Sequence, residues 1–186
     1  NDFPDQFLNA GVAEQNMTAV AAGMALEGRK VFTYSIGNFP TLRCLEQIRN
    51  DICYHDLDVT IVSIGGGFSY GQLGMSHHAT EDISILRAIP NLTINVPSTL
   101  NEVRGSMRQI ASVSKPNYLR LDKSFVDLEI SQEYVFGKAA LLEEGHDITV
   151  IVAGGILEEV LQCSRKLREE DGINCRILSM HTIKPI

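Results

Sequence analysis

Asp58-Val59-Thr60-Ile61-Val62-Ser63-Ile64-Gly65-Gly66-Gly67 is the stretch on which the fold class turns. After Asp58 it carries no charge, and β-branched residues dominate it. That pattern makes a strand buried on both faces, the kind found in parallel sheets covered by helices. Three glycines follow where the chain must leave the sheet. Upstream, the apolar period switches between that of a strand and that of a helix. Residues 31–35 read as a strand, 37–40 as a loop and 41–53 as a helix. Before them lies a helix over 14–27, with small residues at Ala19, Ala21, Ala22 and Gly23 and a stop at Gly28. Phe7-Leu8-Asn9 reads as a short buried strand.

Downstream, residues 65–80 form a long loop rich in Gly, Ser and His, and loops of that length inside a compact domain are commonly functional. A short helix (81–88), a strand (92–96), a helix opened by Pro97-Ser98-Thr99 (100–113) and a strand (118–121) follow. The pattern weakens after Asp122. The expected organisation is a first domain over 1–122, a linker over 123–137 and an incomplete second α/β domain over 138–186. The second unit carries strands at 138–142, 148–153 and 175–180 and a helix at 157–169. Such a half-sheet leaves apolar surface uncovered. A start at Asn1 and an end at Pro185-Ile186 imply a segment of a longer protein.

Composition excludes several classes. A net charge of −7 argues against nucleic-acid binding, which needs a basic face. No apolar run approaches a membrane span, and no charged-then-apolar leader precedes Phe3-Pro4. Cys44, Cys53, Cys163 and Cys175 follow no CxxC or zinc spacing, so four reduced thiols in a cytoplasmic protein are expected and no metal site.

Three constellations carry chemistry. Glu14, in Gly11-Val12-Ala13-Glu14-Gln15-Asn16-Met17, stands where a turn delivers a helix. It suits the helix dipole there, yet Gly11 and the small helix face suggest a backbone that something must approach closely. Gly71-Gln72-Leu73-Gly74-Met75-Ser76-His77-His78, followed by Glu81, holds two adjacent histidines. In extended backbone they point to opposite faces, which suits separate acid–base or loop roles better than one shared metal. Arg120-Leu121-Asp122-Lys123 ends a strand, at the edge where open α/β sheets bind ligands; a cation there can read phosphate or carboxylate, or be a solvated charge pair. The glycines at 65–67 and Ala153-Gly154-Gly155 give neither GxGxxG nor a P-loop, and no GxSxG or HExxH is present.

In order and spacing these pieces resemble the transketolase family. FLNAGVAEQN (7–16) is similar to its catalytic-glutamate segment, GMSHHATEDISILRAIPN (74–91) to its histidine loop and following helix, and KPNYLRLDKS (115–124) to the strand ending in its phosphate reader. ITVIVAGGILEEV (148–160) and INCRILSMHTIKPI (173–186) resemble the opening of its C-terminal domain. The resemblance implies a three-layer thiamine-diphosphate-binding fold with a mainly parallel sheet, plus the start of a second α/β domain. It implies that Glu14 hydrogen-bonds a ring nitrogen of the cofactor's aminopyrimidine, favouring the tautomer that removes the thiazolium proton. A carboxyl shielded beside an apolar ring holds its proton more tightly, which suits it to that sharing.

His77 falls at the family's active-site histidine, with His78 and Glu81 supporting the loop or the substrate. Lys123 falls where the family has a phosphate-binding arginine, with Arg120 as alternative or helper. Tyr34 and Phe39 are candidates for the aromatic wall of the pyrimidine, and Phe68 and Tyr70 for the substrate channel, each equally open to plain packing. Leu73, Gly65 and Met75 depart from the pattern for pentose-phosphate substrates. The family's GDG motif for diphosphate and magnesium is absent from this sequence. The resemblance therefore implies a heterotetramer with two sites, in which a partner subunit holds diphosphate and magnesium and this chain pairs with its own copy. The rivals are the beta subunit of a 2-oxo acid dehydrogenase, a deoxyxylulose-phosphate synthase-like enzyme, a non-catalytic paralogue and, more distantly, a nicotinamide-binding oxidoreductase.

Overall fold

The computed structural model describes residues 2–123, 126 and 133–186. The linker expected over 123–137 falls partly on 124, 125 and 127–132, which lie outside the described residues. The chain builds a five-stranded sheet in the order β1-β2-β4-β3-β8 and a three-stranded sheet in the order β5-β7-β6. In the first, β1 (Val31–Ile36), β2 (Val59–Ile64), β3 (Thr93–Asn95) and β4 (Asn117–Leu121) are all parallel. The stretch that begins at Asp58 is thus a central strand, paired on both edges, with Val59, Thr60, Ile61 and Ser63 all buried. This is a mixed α/β fold with a mostly parallel main sheet.

Helix α1 (Glu14–Leu26) packs on β1 and β2 through Thr18, Ala21, Ala22 and Ala25. Ala19 and Gly23, also small, face outward, and a Cβ at Gly23 would meet nothing within 4 Å. The helix expected over 41–53 changes winding along its length. A 3-10 turn (Leu42–Cys44) and one α-turn (α2, Leu45–Gln47) run into a π-helix (Ile48–Cys53). Ile48 and Ile52, four residues apart on one face, are both fully buried in the core that holds Val59 and Ile61. Burying each such side chain contributes about 1.5–3 kcal/mol.

Helix α3 (Asp82–Arg87) precedes β3, and α4 (Leu100–Ser112) follows it. The Pro97-Ser98-Thr99 start is a reciprocal cap: the Thr99 hydroxyl accepts from the Glu102 amide at 3.2 Å, and the Glu102 carboxylate accepts from the Ser98 amide at 2.7 Å. The second sheet comprises β5 (Ala140–Glu143), β6 (Ile148–Val152) and β7 (Cys175–Ser179), with α5 (Leu157–Asp171) against β7. Its core is Val152, Leu157, Leu161, Cys175 and Ile177, while Ile148 and Ile151 stay exposed.

Two elements differ from expectation. Phe7-Leu8-Asn9 is not a buried strand. It leaves a 3-10 turn (Pro4–Gln6), pairs with no strand, and exposes Phe7 and Leu8 by about two thirds. Its apolar residues find no facing layer among the described residues. Conversely, β8 (Thr182–Lys184) was hidden by its polar ends. It runs antiparallel to β3 and becomes an edge strand of the first sheet. The Lys184 ammonium donates to the carbonyls of Arg87 and Ile89, and the Val96 amide donates to the His181 carbonyl at 2.8 Å. No helix among the described residues is long and apolar enough to cross a membrane.

Candidate active site

Because β1, β2 and β4 are parallel and in register, the segments leaving Ile36, Ile64 and Leu121 emerge at one edge of the sheet. Ligands bind at that edge in open α/β folds. The loop after β2 is braced there. Gly67 and Ala79 exchange two backbone hydrogen bonds, at 2.8 and 3.0 Å, and the Nε2 of His78 lies 2.9 Å from the Gly71 carbonyl oxygen.

Glu14 is delivered to the same neighbourhood by a turn. Gly11 takes φ +66°, and its amide donates to the Asn9 side chain at 2.9 Å, an Asx turn followed three residues after Gly11 by the first residue of α1. Among the described residues nothing lies within 4 Å of a Cβ placed on Gly11, so none of them makes the close approach expected there. Glu14 opens α1, where the dipole favours a carboxylate, and is only 8% exposed. The Arg43 guanidinium donates to its Oε2 at 3.0 Å, and the Ser35 hydroxyl donates to Oε1 at a long 3.4 Å. One carboxylate oxygen is thus held by a cation and the other only weakly. Beside it, burial raises the Cys44 thiol; a hydrogen bond with Thr18 opposes this, and the charge of Glu14 adds to it.

From Glu14 a line of contacts runs along the edge. The Arg43 guanidinium carbon stands 4.7 Å from the Phe39 ring centroid. Phe39 meets the His77 ring edge-on at 5.1 Å, and His77 lies 6.0 Å from the Tyr70 ring. The Lys123 ammonium rests 3.6 Å from the Tyr70 centroid. Glu14, Phe39, His77 and Lys123 are therefore brought together. The two histidines do diverge: His77 turns to Phe39 and Tyr70, with Nδ1 3.0 Å from the Ser76 hydroxyl, whereas His78 packs on Phe68 at 5.0 Å and braces the loop backbone. Glu81 accepts from the Thr80 hydroxyl at 2.7 Å. Tyr34 is largely exposed on β1 and lies near Tyr70. Partial burial, then the neighbouring Tyr34, raises the Tyr70 phenol above its ordinary value.

Arg120 is placed differently from Lys123. Its side chain is mostly buried, with Nε 3.6 Å from Asp82 and 3.9 Å from Asp122, and its guanidinium fills the space a Cβ on Gly66 would take. Asp82 also accepts from the buried Tyr118 phenol at 2.6 Å; burial and then the Asp82 charge raise that phenol well above its usual value. Asp122 accepts from the Gly66 amide at 2.8 Å and the Gly155 amide at 2.6 Å, tying the loop to the second sheet. Sequence reasoning missed Arg43, Asp82 and Asp122 as site residues. Arg43 falls one helical turn after Phe39, and Asp122 ends a strand at the ligand edge; those placements were the available signals. Among the described residues, no group of three or more His, Cys, Asp or Glu side chains could hold a metal ion.

Comparison with known proteins agrees with this arrangement. Residues 1–127 match the family model "Transketolase, pyrimidine binding domain", and 137–186 match "Transketolase, C-terminal domain". The chain is 40% identical, over its whole length, to a protein of Methanocaldococcus jannaschii named provisionally as a transketolase C-terminal section. It is 36% identical, again over its whole length, to one of the subunits of the apulose-4-phosphate transketolase of Phocaeicola vulgatus. In both cases it spans 60% of the relative's length. Among solved structures, a split-gene transketolase described as an inactive beta4 tetramer superposes with a TM-score of 0.85 at 34% identity, covering 99% of this chain and 60% of that one. The family models, the relatives and the fold agree, and the chain belongs to the transketolase family, carrying its pyrimidine-binding domain and matching its C-terminal domain over the last fifty residues.

Proposed function

We propose that this chain is the pyrimidine-binding half of a thiamine-diphosphate-dependent transketolase, which moves a two-carbon ketol unit from a ketose or ketose phosphate to an aldehyde. The observation that carries the reading is Glu14: a buried carboxylate at the ligand edge of a parallel sheet, with Oε1 weakly engaged and the Phe39 ring joined to it through Arg43. Those residues fit an aminopyrimidine. Oε1 has room in its hydrogen bonding for a ring nitrogen, and Phe39, linked to Glu14 through Arg43, offers an apolar plate. When bound, thiamine diphosphate supplies the electron sink for breaking and making the bond beside the ketose carbonyl.

The chain's own residues would bind, orient and move protons around it. Glu14 would offer Oε1 as hydrogen-bond partner to the pyrimidine nitrogen while Arg43 holds Oε2. His77, set between Phe39 and Tyr70, exchanges a proton with substrate oxygens through Nε2 while Nδ1 is held by Ser76. Lys123 reads the anionic end of the sugar. Arg120, neutralised by Asp82 and Asp122, holds the loop in place instead of binding substrate. His78 likewise acts through the loop.

On this reading diphosphate and magnesium belong to a partner chain, supported by relatives named as a transketolase C-terminal section and as one subunit of a transketolase. The exposed Phe7, Leu8 and Val12 beside Glu14 support a covering chain there. A relative named as one subunit of a transketolase, and a split-gene relative inactive as a beta4 tetramer, support an assembly in which copies of this chain pair and await that partner. The sugar-phosphate name of the first supports a phosphorylated substrate. Four unpaired thiols suit a reducing, cytoplasmic setting.

The test is reconstitution. The full-length chain and its diphosphate-domain partner are purified separately and mixed with thiamine diphosphate and magnesium. Cofactor binding and ketol transfer are expected only in the mixture. Cofactor binding by either chain alone, or decarboxylation of pyruvate without ketol transfer, would overturn the reading in favour of a self-sufficient enzyme or a 2-oxo acid dehydrogenase component.

A further inference from the structure

Gly65 and Gly66 strip two successive side chains from the ligand edge, and two side chains from elsewhere fill the space. At Gly66 the filler is Arg120, whose charge is answered by Asp82 and Asp122. At Gly65 it is Tyr70. Gly65 is buried at φ +83°, and a Cβ there would fall 2.2 Å from the Tyr70 ring. The ring lies directly against the backbone, and only glycine admits it. On that ring sits the Lys123 ammonium, 3.6 Å from the centroid, and among the described residues no carboxylate pairs with it. Among the described residues the edge therefore carries two cations answered by carboxylates, Arg43 by Glu14 and Arg120 by Asp82 and Asp122, and one, Lys123, that rests on an aromatic face, with His77 adjoining the same ring at 6.0 Å.

We propose that Tyr70 is the positioning residue for anion recognition: seated on Gly65, its ring holds the Lys123 ammonium where it meets the phosphate of a sugar substrate. Lysine is a point charge on a four-carbon stem, and freezing that stem is an entropic cost of binding. A cation–π contact made before the substrate arrives removes part of the cost. A tyrosine phenol is protonated at neutral pH, and partial burial only raises its value further, so the ring places no competing negative charge beside the lysine. The departure at Gly65 is thereby explained: the side chain missing there is replaced by a ring-and-lysine pair. This inference rests on the transketolase reading above.

The test uses the reconstituted holoenzyme and one acceptor aldehyde in phosphorylated and unphosphorylated form. Lys123→Met is expected to raise KM for the phosphorylated acceptor alone. Tyr70→Leu is expected to raise the same KM about two- to fivefold, the worth of an exposed cation–π contact, with kcat unchanged. Tyr70→Phe, which keeps the ring, restores the wild-type value. Gly65→Ala displaces the ring and gives the Tyr70→Leu shift; should it fail to fold, Tyr70→Leu alone decides. The affinity for inorganic phosphate, read by thermal shift of the holoenzyme, follows the same order without relying on turnover. If Lys123→Met changes neither KM nor phosphate affinity, the assignment of Lys123 as anion reader is overturned. If Lys123→Met acts but Tyr70→Leu does not, or if Tyr70→Leu raises KM for both acceptors alike, the role of Tyr70 alone is overturned.

Discussion

Replacing Asp122 by alanine tests a carboxylate that joins the site loop to the second sheet and also answers Arg120. Its carboxylate accepts from the Gly66 amide at 2.8 Å and the Gly155 amide at 2.6 Å, and it faces Arg120 at 3.9 Å with its side chain 10% exposed. Hydrogen bonds to a charged acceptor contribute about 1.5–3 kcal/mol each. Two bonds to one carboxylate are not independent, so about 3–4 kcal/mol is the expected loss. For a chain of this size that lowers Tm by about 6–16 °C. Urea unfolding followed by circular dichroism measures the loss directly, and amide hydrogen exchange locates it. Gly66 and Gly155 should lose protection while the β2 amides keep theirs. Asp122→Asn, which can accept at one oxygen only, should fall between. A stability within about 1 kcal/mol of wild type for Asp122→Ala would show that the carboxylate does not carry the joint.

Two further outcomes follow from buried groups. Burial pushes the Cys53 thiol up to about 12 and raises Cys44, whereas Cys163 is exposed; an aromatic disulfide reagent at neutral pH should label Cys163 quickly and Cys53 and Cys44 only on unfolding, and more than one fast thiol in the native chain would contradict this. His181 is buried against Tyr134 and beside Thr182, and its value lies below the usual 6.5 because burial disfavours the charged ring more than Glu102 favours it. The unfolded chain then binds a proton at higher pH than the folded one, so this contribution to stability is complete above 6.5 and is lost as pH falls through the folded value. His181→Asn should flatten the acid side of the Tm–pH curve, and an unchanged acid limb would count against the burial effect.

The central strand β2 was legible because burial on both faces leaves a run dominated by β-branched residues, although β6 carries the same pattern and still exposes Ile148 and Ile151. Helix α5 was legible over 157–169, and the structure carries it two residues further, to Asp171, before Gly172 turns at φ +71°. Phe7-Leu8-Asn9 misled because apolarity says that a segment should be covered, not whether a facing strand exists in the same chain. Strand β8 escaped because three residues ending in lysine show too little alternation, and its place is set by β3, some ninety residues earlier. At the site, Glu14, His77 and Lys123 could be picked out because the motif order carried them. Arg43 could not, since its partner Glu14 lies 29 residues away and no spacing rule joins a 3-10 turn to a helix start. The same blindness hid the difference between Arg120 and Lys123: Asp82, which helps neutralise Arg120, reaches it from another element.

The most direct test of the proposed chemistry is Glu14→Gln in the reconstituted complex. The substitution keeps the shape and one acceptor oxygen but removes the acid. The expected result is an unchanged far-ultraviolet spectrum and assembly with the partner, retained thiamine diphosphate binding, and loss of ketol transfer by at least a hundredfold, the usual worth of a positioned acid–base group. Ketol transfer by Glu14→Gln at the wild-type rate would contradict the assignment of Glu14 outright.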